Sequence, residues 1–269
     1  MEPIRRSLMV KNDSFEWNGW HILTRKGPIM GHKEGETLEQ TMSLPHLPDM
    51  LFHQNVVRFT RSSPNAGQDP EEPVIGLELN PVDALATVND HEDLVHVATA
   101  KEWMEARKDS PHIQKVIKPY DWTYTPKTYK GTLLGGGQIR VEPSSTGIDY
   151  EKLKEREKIL FFDEVILYED ELDDNGCSLL TTKLRVMPSG FFCLLRFYLR
   201  VDNTLIRVID NRFHYEAGQN YILREYSFRE SKFTDLQIPM SVRNDPNEVG
   251  QHLKLVDETK EKLIWPASS

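Results

Sequence analysis

Arg196 and Arg200 stand four residues apart on either side of Tyr198. On a strand that spacing projects both guanidiniums from one face, ~13 Å apart, with the aromatic ring between them. Such a pair can grip a carboxylate, one arginine through a bidentate contact while the ring stacks. The same arginines can instead pair across strands with Asp210 or Glu225, worth only ~0.2–1 kcal/mol to a sheet. Val208 and Asp210 differ by two, so they share a strand face and can form one small patch. Tyr120, Trp122 and Tyr124 also alternate; such a ladder is core when buried and an interface anchor when exposed.

No catalytic signature accompanies these residues. The acidic stretch from Glu171 to Gly176 begins with Glu where a calcium loop needs Asp. It also puts Thr182 where the bidentate Glu belongs, so it reads as a charged turn. Gly131 to Gly137 lacks the Gly-Lys-Ser/Thr ending of a phosphate loop and reads as a turn too. Cys177 follows a turn with no nucleophile elbow, and Cys193 falls on an apolar strand face. Both are expected to be reduced structural thiols. His91 and His96 are five apart, off a common helical face. Two cysteines and scattered histidines give no zinc-site pattern. The expectation is no catalytic residue, no metal and no cofactor. A binding or regulatory module is then the default, with a β-rich hydrolase or small-molecule-binding protein as the alternative.

Composition narrows the partners. Lys and Arg number 33 against 42 Asp and Glu, a formal charge of −9 over 269 residues. That balance argues against a general nucleic-acid binder, which needs a basic footprint to displace phosphate counterions. Residues 1–11 hold no apolar core of a secretory signal. The longest apolar run, Phe191 to Leu195, falls far short of the ~20 residues that span a bilayer. The reading is one soluble intracellular domain over 1–269, monomeric and without membrane contact.

The elements that must position these side chains follow from periodicity and turn chemistry. Residues 1–13 read as a loose tail, 17–24 as a strand, Glu36–Ser43 as a helix and Asn55–Thr60 as a second strand. Residues 61–73, rich in Pro and acids, read as a mobile surface loop. Val74–Leu79 is a strand, and Asn80 then caps a helix with Pro81 and Asp83 in its first turn. A helix over 98–108, a β-prone aromatic stretch over 117–125 and a hairpin over 130–141 come next. Asp149 caps a helix carrying Leu153 and Ile159. Five strands close the pattern: 165–168, 179–187, 191–201, 204–215 and 221–229. Their short links force antiparallel neighbours. In 191–201 every odd position is apolar while the even ones are mixed, giving one core face. The fold class is α+β, antiparallel sheets in a meander or sandwich with several helices packed on them.

Unusual words set in order along this chain carry a resemblance. They include Ile117-Lys-Pro-Tyr-Asp-Trp-Thr-Tyr-Thr125, Tyr129-Lys-Gly-Thr-Leu-Leu134 and Leu47-Pro-Asp-Met-Leu-Phe52. Glu164 to Leu172, Arg185-Val-Met-Pro-Ser189 and Leu223-Arg-Glu-Tyr226 continue the series. From about Phe15 to Pro266 the chain resembles the TIPRL family, the TOR signalling pathway regulator-like proteins. The resemblance implies a non-enzymatic regulator that binds the catalytic subunits of type 2A, 4 and 6 protein phosphatases. It also implies TOR and stress signalling in the cytoplasm, while the reduced cysteines fit a cytosolic or a nuclear protein. Asp83, Ile148 and Asp210 match family positions implicated in phosphatase contact, and Val208 shares the Asp210 face. Each has a plainer role: a first-turn charge, a hydrophobic staple and a cross-strand ion pair respectively. The acidic, aromatic C-terminal tail that the resemblance gives such phosphatases would suit Arg196, Tyr198 and Arg200.

Overall fold

The computed structural model describes residues 10–42, 44, 46–62, 74–88, 105 and 123–266. Its strands are β1 (Lys11–Trp17), β2 (Trp20–Lys26), β3 (Met50–Leu51), β4 (Val56–Ser62), β5 (Val74–Leu79), β6 (Thr132–Leu134) and β7 (Arg140–Pro143). They continue with β8 (Phe161–Asp170), β9 (Gly176–Met187), β10 (Gly190–Val201), β11 (Leu205–Glu216), β12 (Tyr221–Lys232) and β13 (Lys254–Ile264). The helices are α1 (His32–Met42), α2 (Pro81–Leu85), α3 (Tyr150–Lys154), α4 (Met240–Arg243) and α5 (Pro246–Val249).

Strands β1-β2-β4-β5-β6 form one sheet, and β3-β8-β9-β10-β11-β12-β13-β7 form a second. The α+β class with antiparallel sheets is the one read from the sequence. Alternation puts Trp20 and Phe59 on the inner face of the first sheet and Phe191 and Tyr215 on that of the second. Phe59 stacks on Phe191 at 4.7 Å between ring centres, and Trp20 meets Phe191 edge-on at 5.4 Å. The inner face of β10 is the predicted one: Phe191, Cys193, Leu195, Phe197, Leu199 and Val201 are all buried.

Local expectations are corrected in several places. The strand expected over 17–24 is broken by Asn18 and Gly19, both at positive φ, in a two-residue hairpin turn. Lys11, Asn12 and Asp13 therefore leave the expected tail and pair with Lys26, Arg25 and Thr24. The hairpin expected over 130–141 does not form: β6 pairs with β5 in the first sheet and β7 with β13 in the second. Gly135, Gly136 and Gly137, all at positive φ, carry the chain from one sheet to the other. Helix α3 ends at Lys154, because Glu155 turns to ψ 140°, so Ile159 is not helical. Helix α1 begins four residues before the expected Glu36.

Tyr124 is not part of a strand ladder. It is buried at φ 56°, and its hydroxyl donates to the Leu47 carbonyl at 3.0 Å. Tyr120, Trp122, residues 1–9 and 63–73, and all of 98–108 except Glu105 lie outside the described residues. Arg61 and Ser62, expected in the loop, complete β4.

A polar tie joins the sheets at Asp163 of β8, whose carboxylate accepts from Thr24 and Lys26 of β2. Burial works to raise this carboxyl, but the Lys26 and Thr24 hydrogen bonds outweigh it and hold the pKa below 3.8. A carboxyl lowered by folding stabilises above its unfolded pKa, and the gain is lost as pH falls through the folded value. Asp163→Asn should therefore lose about 1 kcal/mol at neutral pH, a modest figure because solvent screens this edge. The gap to the parent in urea melts should close as pH drops below 3.8.

Candidate protein-binding face

The outer face of the second sheet carries the even residues of β10 and β11 and the odd ones of β9 and β12. Two segments lie across it. Residues 233–253, with α4 and α5, set Leu236, Val249 and Leu253 on Tyr198, Ile206 and Val208 as a second small core. Residues 147–159, with α3, cross the other end.

Asp210 sits between these covers, buried and directly opposite Arg196 in the β10–β11 register. Arg196 donates Nε to Oδ1 at 2.6 Å and Nη2 to Oδ2 at 2.7 Å, a bidentate fork. Arg212 donates to the same carboxylate. Burial works against the Arg196 charge, but the hydrogen bond and charge of Asp210 outweigh it and raise its pKa. Arg196 Nη1 also reaches the Pro246 carbonyl at 2.8 Å and Asn247 Oδ1 at 3.1 Å, tying α5 to the sheet. Arg200 lies 2.8 Å from Asp202 and donates to Asn244. The buried Tyr198 hydroxyl donates to the Arg243 carbonyl at 2.6 Å.

Arg196, Tyr198 and Arg200 thus share one face, as the spacing predicts, but the open clamp is corrected. Residues 233–253 cover them, and both guanidiniums already hold protein partners. For Arg196 the cross-strand pair with Asp210 is the arrangement that forms.

Ile148 is buried at the start of the other cover, and its N–H donates to Glu225 Oε1 at 2.7 Å. The Tyr150 hydroxyl donates to the other oxygen of Glu225. Asp149 caps α3 as predicted, its Oδ1 accepting from the Lys152 N–H at 3.0 Å. A groove of about 430 Å³ runs past Ile148, Tyr150, Glu225 and Lys260. A second hollow of about 350 Å³ lies over Arg196, Val208 and Asp210. Arg212 and Arg229 line both, so Ile148, Val208 and Asp210 share one continuous surface.

Asp83 stands elsewhere, at the start of α2 on the first sheet. Its N–H donates to the Asn80 cap at 2.8 Å, and its carboxylate accepts from Asn80 and from Thr132 of β6. Among the described residues no contact joins Asp83 to the other three.

Sequence reasoning missed an opening of about 830 Å³ on the same outer face. Leu153, Ile159, Phe162, Met187, Phe192 and Leu194 line it, rimmed by Lys154, Arg156, Lys183 and Arg185. Phe162 is 57% exposed and Ile159 53%. The signal was present in Phe192 and Leu194, apolar residues on the even, non-core face of β10. The described residues hold no group of three or more His, Cys, Asp or Glu that could bind a metal. Burial pushes the Cys177 and Cys193 thiols up, away from thiolate chemistry.

The TIP41-like family model matches residues 50–237, from β3 through β12 and just beyond. The human TIP41-like protein is 46% identical over 254 residues, covering 94% of this chain and 89% of that protein. The rat TIP41-like protein is 45% identical over 257 residues, covering 95% and 91%. The type 2A phosphatase activator TIP41 of Saccharomyces cerevisiae is 32% identical over 270 residues, covering 91% and 73%. The resemblance read from the ordered words between about Phe15 and Pro266 is borne out, and the chain belongs to the TIP41-like family.

Proposed function

We propose that this protein is a non-enzymatic regulator of type 2A-family phosphatases that binds the catalytic subunits of types 2A, 4 and 6. The yeast relatives named as type 2A phosphatase activators support the phosphatase class. The observation that carries the binding mode is the broad outer face. There an exposed apolar groove adjoins the two hollows floored by Ile148, Val208 and Asp210, and the described residues form no enclosed pocket of convergent acids and bases. On this reading Arg196, Tyr198 and Arg200 act by fixing Asp210 and the α4–α5 cover, and Asp83 offers a separate contact from the first sheet. The regulator works in the cytoplasm, within TOR and stress signalling.

Affinity capture of phosphatase catalytic subunits from lysate, identified by mass spectrometry, tests this. Ile148→Ala, Asp210→Asn and Asp83→Asn should each retain a cooperative melt, and at least one should weaken capture by about tenfold or more. Undiminished capture by all three would place the interface elsewhere.

A further inference from the structure

Arg61 of β4 faces inward, on the same side as Val57 and Phe59. Its guanidinium carbon lies 5.4 Å from the Trp20 ring centre and 5.2 Å from that of Trp265. The two indoles stand at 84° to one another, so they wall the cation on two sides. No carboxylate among the described residues pairs with Arg61, and its buried Nε has no hydrogen-bond partner. A pocket of about 280 Å³ opens beside it. Tyr215, only 2% exposed, lines that pocket, and among the described residues nothing bonds to its hydroxyl. Trp20 Nε1 in the same cluster is likewise buried without a partner. The remaining lining is the polar residues Asn18, Gln219 and Asn220, with Gly218, Trp265 and Pro266, and it includes no acid.

A site rich in donors, with a positive charge and no acid, calls for an acceptor that brings negative charge. The contrast lies within the molecule: Arg196 and Arg212 both meet Asp210. With a formal charge of −9, an inward arginine that meets no acid among the described residues is not a reflection of composition. The guanidinium presents a planar fork that matches a carboxylate in two parallel hydrogen bonds. The Trp265 and Pro266 wall suits the short apolar stem of such a group. We propose that the Arg61 pocket binds a carboxylate, gripped by the guanidinium fork and by the Tyr215 hydroxyl. Tyr215 faces the inter-sheet space, not the outer face, so the proposal is independent of the phosphatase reading.

The carboxylate can come from a small free acid or from an acidic side chain of a docked protein. Trp20 and Trp265 report on the site directly through their fluorescence. The full chain is titrated with sodium succinate and with doubly blocked glutamate. Sodium chloride, inorganic phosphate and doubly blocked glutamine at matched ionic strength are the controls. A saturable change with succinate alone identifies a free acid, and one with blocked glutamate as well identifies a protein side chain. Either supports the site. Arg61→Met should weaken the response by about tenfold or more, and Tyr215→Phe, which keeps the ring packing, by several-fold. Circular dichroism confirms that both variants are folded, and Tyr215→Phe alone decides should Arg61→Met not fold. No saturable change with either carboxylate, an equal response to chloride, phosphate or blocked glutamine, or undiminished binding in the folded variants would overturn the proposal.

Discussion

Asp210→Ala should lose about 3–5 kcal/mol of folding stability, because it strips the counter-charge from a buried guanidinium. The Arg196 side chain is 13% exposed and makes both fork contacts with this one carboxylate. Arg212 shares it. Once Asp210 is gone, Arg196 also loses the partner that aims Nη1 at Pro246 and Asn247, so the α5 cover loosens with the sheet. Asp210→Asn should cost less, since the amide keeps one acceptor and the shape. Adding Arg196→Met to Asp210→Ala should restore part of the loss, because an apolar pair replaces an orphaned charge. Urea melts at constant m-value measure all four corners of this cycle. A loss below about 1 kcal/mol for Asp210→Ala would mean that solvent already neutralises Arg196.

That carboxylate also marks how far the sequence could be read. The three-residue turn Asp202–Thr204 pairs Val201 with Leu205 and so sets Arg196 opposite Asp210. A two-residue turn at Asp202-Asn203 would put Ile209 there, so the pair depends on a turn length that the sequence left open. The meander from β8 to β12 was legible from period-2 alternation with turns too short for any crossover. What lies over the outer face was not. Leu236, Val249 and Leu253 are single apolar residues among short helices, with no period to betray that they bury Tyr198 and Val208. Ile159, read as part of the helix that Asp149 caps, suggested a longer α3, whereas it lines the open groove. Local glycines at 135–137 suggested a hairpin, but the partners of β6 and β7 were chosen by distant strands. Strand β1 is mostly polar, so only its register with β2 reveals it. Ile148, Asp210 and Asp83 entered as contact positions through the family resemblance alone. No spacing rule ties residues 148 and 210. They come to one face because Ile148 bonds Glu225 and Asp210 bonds Arg212, and Arg212 and Glu225 stand opposite each other in the β11–β12 register.

The centre of the molecule gives the second large effect. Phe191→Ala should cost about 3–5 kcal/mol, the lost transfer energy plus an unfilled cavity. Phe191 is fully buried and touches three other rings: Phe59 at 4.7 Å, Tyr215 at 5.3 Å and Trp20 at 5.4 Å between centres. Those rings belong to strands held by ladders in both sheets, so they cannot collapse into the gap. Phe162 makes the control, because it is the same residue type on a neighbouring part of the second sheet but 57% exposed. Phe162→Ala should shift stability by no more than about 0.5 kcal/mol while weakening phosphatase capture, since its ring faces the apolar groove. Paired denaturation and capture measurements on both variants separate core from surface. A stability loss for Phe162→Ala as large as that for Phe191→Ala would mean that the groove is filled in solution and cannot receive a partner.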